Sequence, residues 1–428
     1  MNDLKIPKIR FAQYTDSWVL TPLSGLVASV DSGWSPQCDH GVAVEGEWGV
    51  LKTTSVQWTG FESDKNKKLP QALEPRENLS LREDDILVTR AGPNERVGVV
   101  SRVDRDYPKL MLSDKIIRLR TKTGTNPNYL ALSLSLKKNN YQIMSKASGL
   151  ATSQTNISQK FLLQTRLGIP TLPEQQKIAS FLSNVDEKIG LLSEKKDKLT
   201  EYKRGVMQQL FNGKWHEQDG QLTFIPPTLR FKADDGSEYP DWKEDRIGGI
   251  GSFYYGKSAP KWSVSKEATI PCVRYGELYN KFSGTVDKIY SRTSIPKEKL
   301  KFSRGGEVLV PRVGEDPLDF AKCSYLPFSN IAIGEMISVF NSEEDGQFMA
   351  TFFRATCQKK FAKLVEGGSV SNLYFRYLEN IRICIPTKNE QLKISDFISK
   401  VNGKLELVDK ELEKAKEWKK GLLQQMFV

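Results

Sequence analysis

Apolar residues recur at every seventh position through two stretches of this chain, and a second, largely apolar row follows each first row by four residues. Within residues 169–212 the first row is Ile178, Val185, Leu192, Leu199 and Val206, and the second is Leu182, Ile189, Lys196, Lys203 and Leu210. Within residues 385–428 the rows are Ile394, Val401, Val408, Ala415 and Leu422, then Ile398, Leu405, Leu412, Lys419 and Met426. A three-four seam of this kind predicts long helices that pair as a coiled coil. The two stretches superpose without a gap at an offset of 216, sharing IPT..EQ.KI..F at the start and K.G..QQ.F at the end. Thr171 with Glu174, and Thr387 with Glu390, have the spacing of a capping box at each helix start. At 1.5 Å per residue each rod would be about 60 Å long.

The repeat extends beyond the helices. Ile9, Arg10 and Phe11, followed by Asp16 and Trp18, are answered by Leu229, Arg230 and Phe231, followed by Asp241 and Trp242. Between leader and helix the pattern turns to short β-type runs broken by Gly, Pro and Asn, such as 86–89, 97–100 and 116–119, with a helical run near 128–138. The second half echoes these runs: 33–36 by 256–260, 50–53 by 272–275, 85–92 by 307–314, and 155–157 by 371–373. Two diverged copies of one domain, each closed by a similar helix, account for the layout. Gly213, Pro226, Pro227 and Asp235-Gly236 punctuate the segment between the copies, which reads as a surface linker.

Composition narrows the chemistry. A formal charge of +11 favours an anionic partner, nucleic acid above all. The five cysteines, Cys38, Cys272, Cys323, Cys357 and Cys384, are scattered without a C-x-x-C pair, a pattern of reducing compartments. Cys38 with His40 and the one other histidine, His216, are too few for a zinc site. No apolar run approaches the ~20 residues of a membrane helix, and residues 1–11 lack a signal-peptide core, so a cytoplasmic soluble protein is expected. No phosphate-binding G-x-x-x-x-G-K-[ST] loop and no Asp-Pro-Pro-aromatic run occurs. Gly248-Gly249-Ile250-Gly251 is a lone glycine run that better suits a bend into a strand than a ligand loop. Glu194-Lys195-Lys196 and Glu417-Trp418-Lys419 resemble nuclease spacings, but on helices they read as solvated charge. No metal, no cofactor and no catalytic group is expected on this chain.

The run IPTLPEQQKIASFL with its distal YKRG..QQLF, answered in the second copy by IPTKNEQLKISDFI and WKKG..QQMF, resembles the helical region of type I restriction-modification specificity subunits. The resemblance covers the chain and implies its architecture: mixed α/β (α+β), with two homologous target-recognition domains and two long helices paired as an antiparallel coiled coil, related by a pseudo-twofold repeat. The boundaries are then 1–168 for the first domain, 169–213 for the first helix, 214–240 for the linker, 241–384 for the second domain and 385–428 for the second helix. It also implies a non-catalytic subunit whose domains each read one half of an asymmetric, bipartite duplex DNA site. Catalysis would come from two modification (methyltransferase) subunits carrying S-adenosylmethionine, which methylate adenine, and from restriction (motor-nuclease) subunits using ATP and Mg. The competing reading is a coiled-coil scaffold joining two protein-binding domains.

Phosphates call for Lys, Arg, hydroxyls and loop amides, and base edges for Arg, Lys, Asn or Gln. Equivalent loops supply Lys52, Thr53, Arg90, Ser153, Gln154 and Asn156 in the first half, and Lys257, Arg274, Tyr275, Arg312, Ser371 and Asn372 in the second. Arg90 and Arg312 equally suit arginines that hold a turn, Asn156 and Asn372 suit backbone caps, and Tyr275 suits a core. For partner docking the shared helix positions off the seam are Gln175, Lys177, Phe181, Tyr202, Gln208, Gln209 and Phe211, with Gln391, Lys393, Phe397, Trp418, Gln424, Gln425 and Phe427. The alternative for these aromatics is packing on the chain's own domains.

Overall fold

The heptad seams do form helices: α-helices span Leu172–Leu210 and Lys388–Gln425. The computed structural model describes residues 6–38, 41–148, 154–218 and 221–428. It divides into two compact units, residues 1–193 with 410–428, and residues 194–409. Each unit therefore holds one globular part and a portion of both long helices.

In the first unit, the strands are β1 (Val19–Pro22), β2 (Val27–Ser32), β3 (Ile86–Thr89), β4 (Ala91–Gly92), β5 (Val100–Arg102), β6 (Ile116–Thr121), β7 (Thr155–Asn156) and β8 (Arg166–Ile169). Helix α1 is Pro127–Ser135, and the first long helix is α2. The main sheet has the order β5-β3-β6-β2, all antiparallel, with Ile117 opposite Val88. Apolar β3 is buried on both faces, which explains its unbroken ILV run. A second sheet aligns Gly49–Leu51 in parallel with Tyr107–Met111. Strand β1 pairs with β8, which leads directly into α2.

The second unit repeats this plan. Its strands are β9 (Lys243–Arg246), β10 (Gly251–Tyr255), β11 (Glu307–Pro311), β12 (Val313–Gly314), β13 (Ser324–Leu326), β14 (Ile337–Ser342), β15 (Ser371–Asn372) and β16 (Arg382–Ile385), with helix α3 (Gly346–Thr356) and the second long helix α4. The order β10-β14-β11-β13 matches the first sheet strand for strand. Again a parallel pair, Cys272 beside Ala332, builds the second sheet, and β9 pairs with β16 ahead of the long helix. Gly33 and Gly256 occupy equivalent turns, where a Cβ would lie 1.8 Å and 2.1 Å from a backbone oxygen, so both sites require glycine.

Each unit also contains one antiparallel helix contact. In the first, Ile178, Leu182 and Val185 near the start of α2 share a core with Leu422, Met426 and Phe427 at the end of α4, together with Trp18 and Tyr129. Phe427 stacks on Tyr129 at 5.3 Å. In the second, Leu210 and Phe211 at the end of α2 join Ile394 and Ile398 near the start of α4, with Trp242 and Phe348. Every seam position is buried or half-buried.

One local expectation changes. Glu174 and Glu390 do not turn back as capping-box acceptors; their carboxylates grip arginines of the leaders. Arg10 donates to both oxygens of Glu174 at 2.7 Å, and Arg230 to both oxygens of Glu390 at 3.1 and 2.7 Å. A planar guanidinium matches a carboxylate in two bonds, a stronger arrangement than a single backbone N–H supplies. The segment expected as a surface linker also contains a hairpin, Lys214–Gln218 against Gln221–Ile225. Its Trp215 and Phe224 pack together, and Phe224 stacks on Trp242 at 6.0 Å. Apolar residues on one face of the hairpin thereby reach the second unit's core.

All five cysteines are thiols rather than disulfides. Burial pushes Cys272, Cys357 and Cys384 up to about 11, and raises Cys323 as well. Ellman's reagent at pH 8 should therefore label at most Cys38 in the folded chain, and all five after unfolding. Because the folded state favours the neutral thiols, this contribution to stability is complete below pH 9 and is lost as the pH rises toward 11. Glu174→Gln leaves Arg10, 11% exposed, facing a neutral amide. It should lower the unfolding free energy by about 3 kcal/mol, and Glu390→Gln should do the same, read as a lower urea midpoint.

Candidate nucleic-acid interface

Short strand pairs at equivalent places gather the sequence candidates. In the first unit β4 pairs with β7, setting Asn156 opposite Ala91, and the Ile157 amide donates to the Arg90 carbonyl at 2.8 Å. Arg90 is half-buried, and its Nε donates to Asn156 Oδ1 at 3.4 Å. Gln154 is exposed beside this pair, whereas Ser153 lies outside the described residues. Lys52 and Thr53 open a 3-10 turn on another loop. That loop is pinned by Arg96, just beyond β4, which donates to the Thr53 and Val56 carbonyls and to Gln57 Oε1, each at 2.9 Å. Trp58, at the tip of the adjoining hairpin, is 51% exposed.

In the second unit β12 pairs with β15, setting Asn372 opposite Val313, and the Leu373 amide donates to the Arg312 carbonyl at 2.8 Å. Here the arginine lies in an aromatic bed. Its guanidinium carbon sits 4.4 Å from the ring centre of Tyr255 and 5.6 Å from that of Tyr374. Arg376 continues the series at 5.2 Å from Tyr374 and 4.7 Å from Tyr377, whose hydroxyl donates to Glu366. The buried Nε of Arg312 has no hydrogen-bond partner among the described residues. Cation and ring attract through the ring quadrupole, so these contacts hold the guanidinium in place without neutralising it.

The neighbouring loop is strained. Ser258 and Ala259 both adopt the left-handed region, at φ 64° and 60°, immediately after exposed Lys257. Arg274 Nε donates to the Ala259 carbonyl at 3.3 Å, tying this loop to the start of the helix Tyr275–Asn280. Tyr275 is 38% exposed and so is not a core residue. Ser371 is buried, with its hydroxyl donating to the Gly368 carbonyl, and acts by shaping the loop.

The helix candidates separate by burial. Gln175 and Gln391 are enclosed by their own units. Gln175 accepts from the Asn126 amide and donates to the Pro170 carbonyl, and Gln391 accepts from the Asp345 amide and donates to the Pro386 carbonyl. Phe211 and Phe427 are core residues, and Phe181 and Phe397 are half-buried, in ring contact with Phe11 and Phe231 respectively. Lys177 lies over the Phe11 ring, and Lys393 pairs with Asp234. Tyr202 and Trp418, 52% and 51% exposed, and the exposed Gln208, Gln209, Gln424 and Gln425 remain on the surface.

Sequence reading missed Tyr255, Tyr374, Arg376 and Tyr377 in the second unit, and Arg96 and Trp58 in the first. The Tyr-x-Arg-Tyr spacing over 374–377 was the available signal. The glycine run 248–251 is packing: a Cβ on Gly251 would lie 2.6 Å from the Phe340 ring. Among the described residues no three His, Cys, Asp or Glu side chains are grouped to hold a metal, and no helix is long and apolar enough to cross a membrane. The two clusters can donate hydrogen bonds and offer ring faces.

The family pattern for the type I restriction modification DNA specificity domain matches residues 51–201 and again 239–417. The type I restriction enzyme EcoEI specificity subunit of Escherichia coli is 38% identical over 169 residues, covering 39% of this chain and 28% of that protein. The type I restriction enzyme MjaVIII specificity subunit of Methanocaldococcus jannaschii is 23% identical over 362 residues, covering 81% and 78%. The crystal structure of a type I restriction-modification S subunit from M. genitalium shares the fold, with a TM-score of 0.59 at 15% identity, covering 99% of both chains. With two domains of one pattern, one sheet order in both units and a long helix closing each, the chain belongs to the type I restriction-modification specificity subunit family.

Proposed function

We propose that this chain is the non-catalytic, DNA-reading subunit of a cytoplasmic type I restriction-modification complex, each unit reading one half of an asymmetric bipartite duplex site. The paired helices set the length of the unread spacer and dock two modification subunits, which bring S-adenosylmethionine and methylate adenine. Restriction subunits bring ATP and Mg. This chain holds none of these cofactors.

One observation carries the reading. The same loop position is built in both units but furnished differently: Arg90 lies against Asn156, with Ser32 and Ser158 where the second unit has Tyr255 and Tyr374 around Arg312. One scaffold with two unlike sets of donors is what two unlike half-sites require. In this reading Arg312 and Arg90 reach base edges, while Lys52, Thr53, Lys257 and Arg274 face phosphates.

Methylation sequencing of the source genome, with and without this gene, tests the function. Loss of one split adenine-methylation motif on deletion is expected, and a methylome that does not change would favour a protein-binding scaffold. Arg312→Ala in the assembled methyltransferase should cost about 1–3 kcal/mol of specific binding and relax one half of the motif only, read by competition between variant duplexes. Lys257→Ala should weaken all duplexes alike and reduce the salt slope of binding by about one.

A further inference from the structure

The second unit contains a cavity of about 530 Å³ between the end of α2 and the face of α3. Three cations, Lys203, Arg204 and Arg354, line it, together with apolar Met207, Phe211 and Ile398, and no Asp or Glu does. Lys203 and Arg354 are half-buried, and neither has an ion-pair partner among the described residues. Arg354 is held in position by a hydrogen bond from Nη1 to the Cys323 carbonyl at 3.1 Å. Burial lowers the pKa of Lys203, and the nearby Arg354 lowers it further; burial likewise lowers that of Arg354. Two like charges withdrawn from water without a counter-ion are costly, and an arriving anion relieves that cost.

The first unit has the same groove, about 460 Å³, at the offset of 216. Lys419, Lys420, Leu423, Gln424 and Phe427 stand there for Lys203, Arg204, Met207, Gln208 and Phe211. The difference lies across the helix seam. Lys419 is paired with Asp186 at 2.5 Å, and the position equivalent to Asp186 is Asn402, which lines the second cavity. Neither lining includes an Asp or Glu, and the first adds Lys137, Lys138 and Lys416; what differs is that the seam lysine of the first unit has a carboxylate partner across the helices and that of the second has an amide there.

We propose that the cavity around Lys203 and Arg354 receives an acidic side chain on an amphipathic segment of a protein partner, the carboxylate standing where Asp186 stands in the other unit. The inference rests on the reading of this chain as a platform for modification subunits and names how one of them is held. Charge complementarity supplies the anion, and the apolar floor of Met207, Phe211 and Ile398 favours a protein segment over a free oxyanion, which gains nothing from such a surface. Gln208, Gln347 and Asn402 add amide donors at the rim.

Asn402→Asp tests it by returning to the second unit the carboxylate that the first already has. The full chain is titrated with the modification subunit of a type I system from its source genome, by calorimetry at low and high salt. The wild type should bind two copies. Asn402→Asp should weaken one binding event roughly tenfold and flatten its salt dependence, leaving the other event intact. Lys203→Gln, which removes one cation without adding a charge, should weaken the same event, and an unchanged melting temperature separates this from misfolding. If two copies bind and neither variant alters either event, the pocket inference fails and the platform reading stands. If the wild type binds no modification subunit, both fail. If inorganic phosphate raises the melting temperature of the wild type but not of Asn402→Asp, while subunit binding is untouched, the cavity takes a free oxyanion and the acidic-segment inference is overturned.

Discussion

A buried arginine–carboxylate pair at the start of each long helix is the fixed point of each unit. Arg10 with Glu174, and Arg230 with Glu390, join a leader to the first turn of a helix more than 150 residues later. The carboxylates are 1% and 0% exposed, so the arginine takes the place of the water that each has lost. The same arginines donate to the Asp16 and Pro240 carbonyls, which places Trp18 and Trp242 on the cores just beyond. A pair of this kind adds little net stability over an apolar substitute, but it admits one register, and the strand pairings β1-β8 and β9-β16 depend on that register.

From that fixed point the two units follow the same path and differ where the path meets solvent. The strand orders agree, the parallel pair recurs, and Gly33 and Gly256 make the same close approach. The loops around β4 and β12 escape much of this constraint, because the strands that hold them are only two residues long. There the first unit sets an amide against Arg90, while the second surrounds Arg312 with rings. A core that must close tolerates few changes, whereas a loop held only by two-residue strands can change its side chains at little cost in stability.

The long helices apply the same economy to charge. Their seams accept lysines at 196, 203 and 419, and what stands across the seam decides each one's state. Lys196 meets Asp409 and Lys419 meets Asp186, whereas Lys203 faces a cavity with Asn402 on its wall. An exposed pair on a helix face contributes little, so the distinction concerns the potential of each surface more than the strength of the coil.

Periodicity alone specified the two helices, because the seven-residue seam is local and its phase is written into every turn; the internal repeat was legible from the ungapped offset of 216. The glutamates of the expected capping boxes were read correctly as helix-start residues but given the wrong partner, since Arg10 and Arg230 lie far away in the chain. Gln175 and Gln391 looked like free surface by spacing and are buried by loops that only folding brings over them. The aromatic bed of Arg312 joins residues from three separate strand ends, and the unpaired state of Lys203 follows from one amide on the opposite helix. Such features arise from contacts between distant segments, which tertiary packing sets and a one-dimensional pattern does not carry.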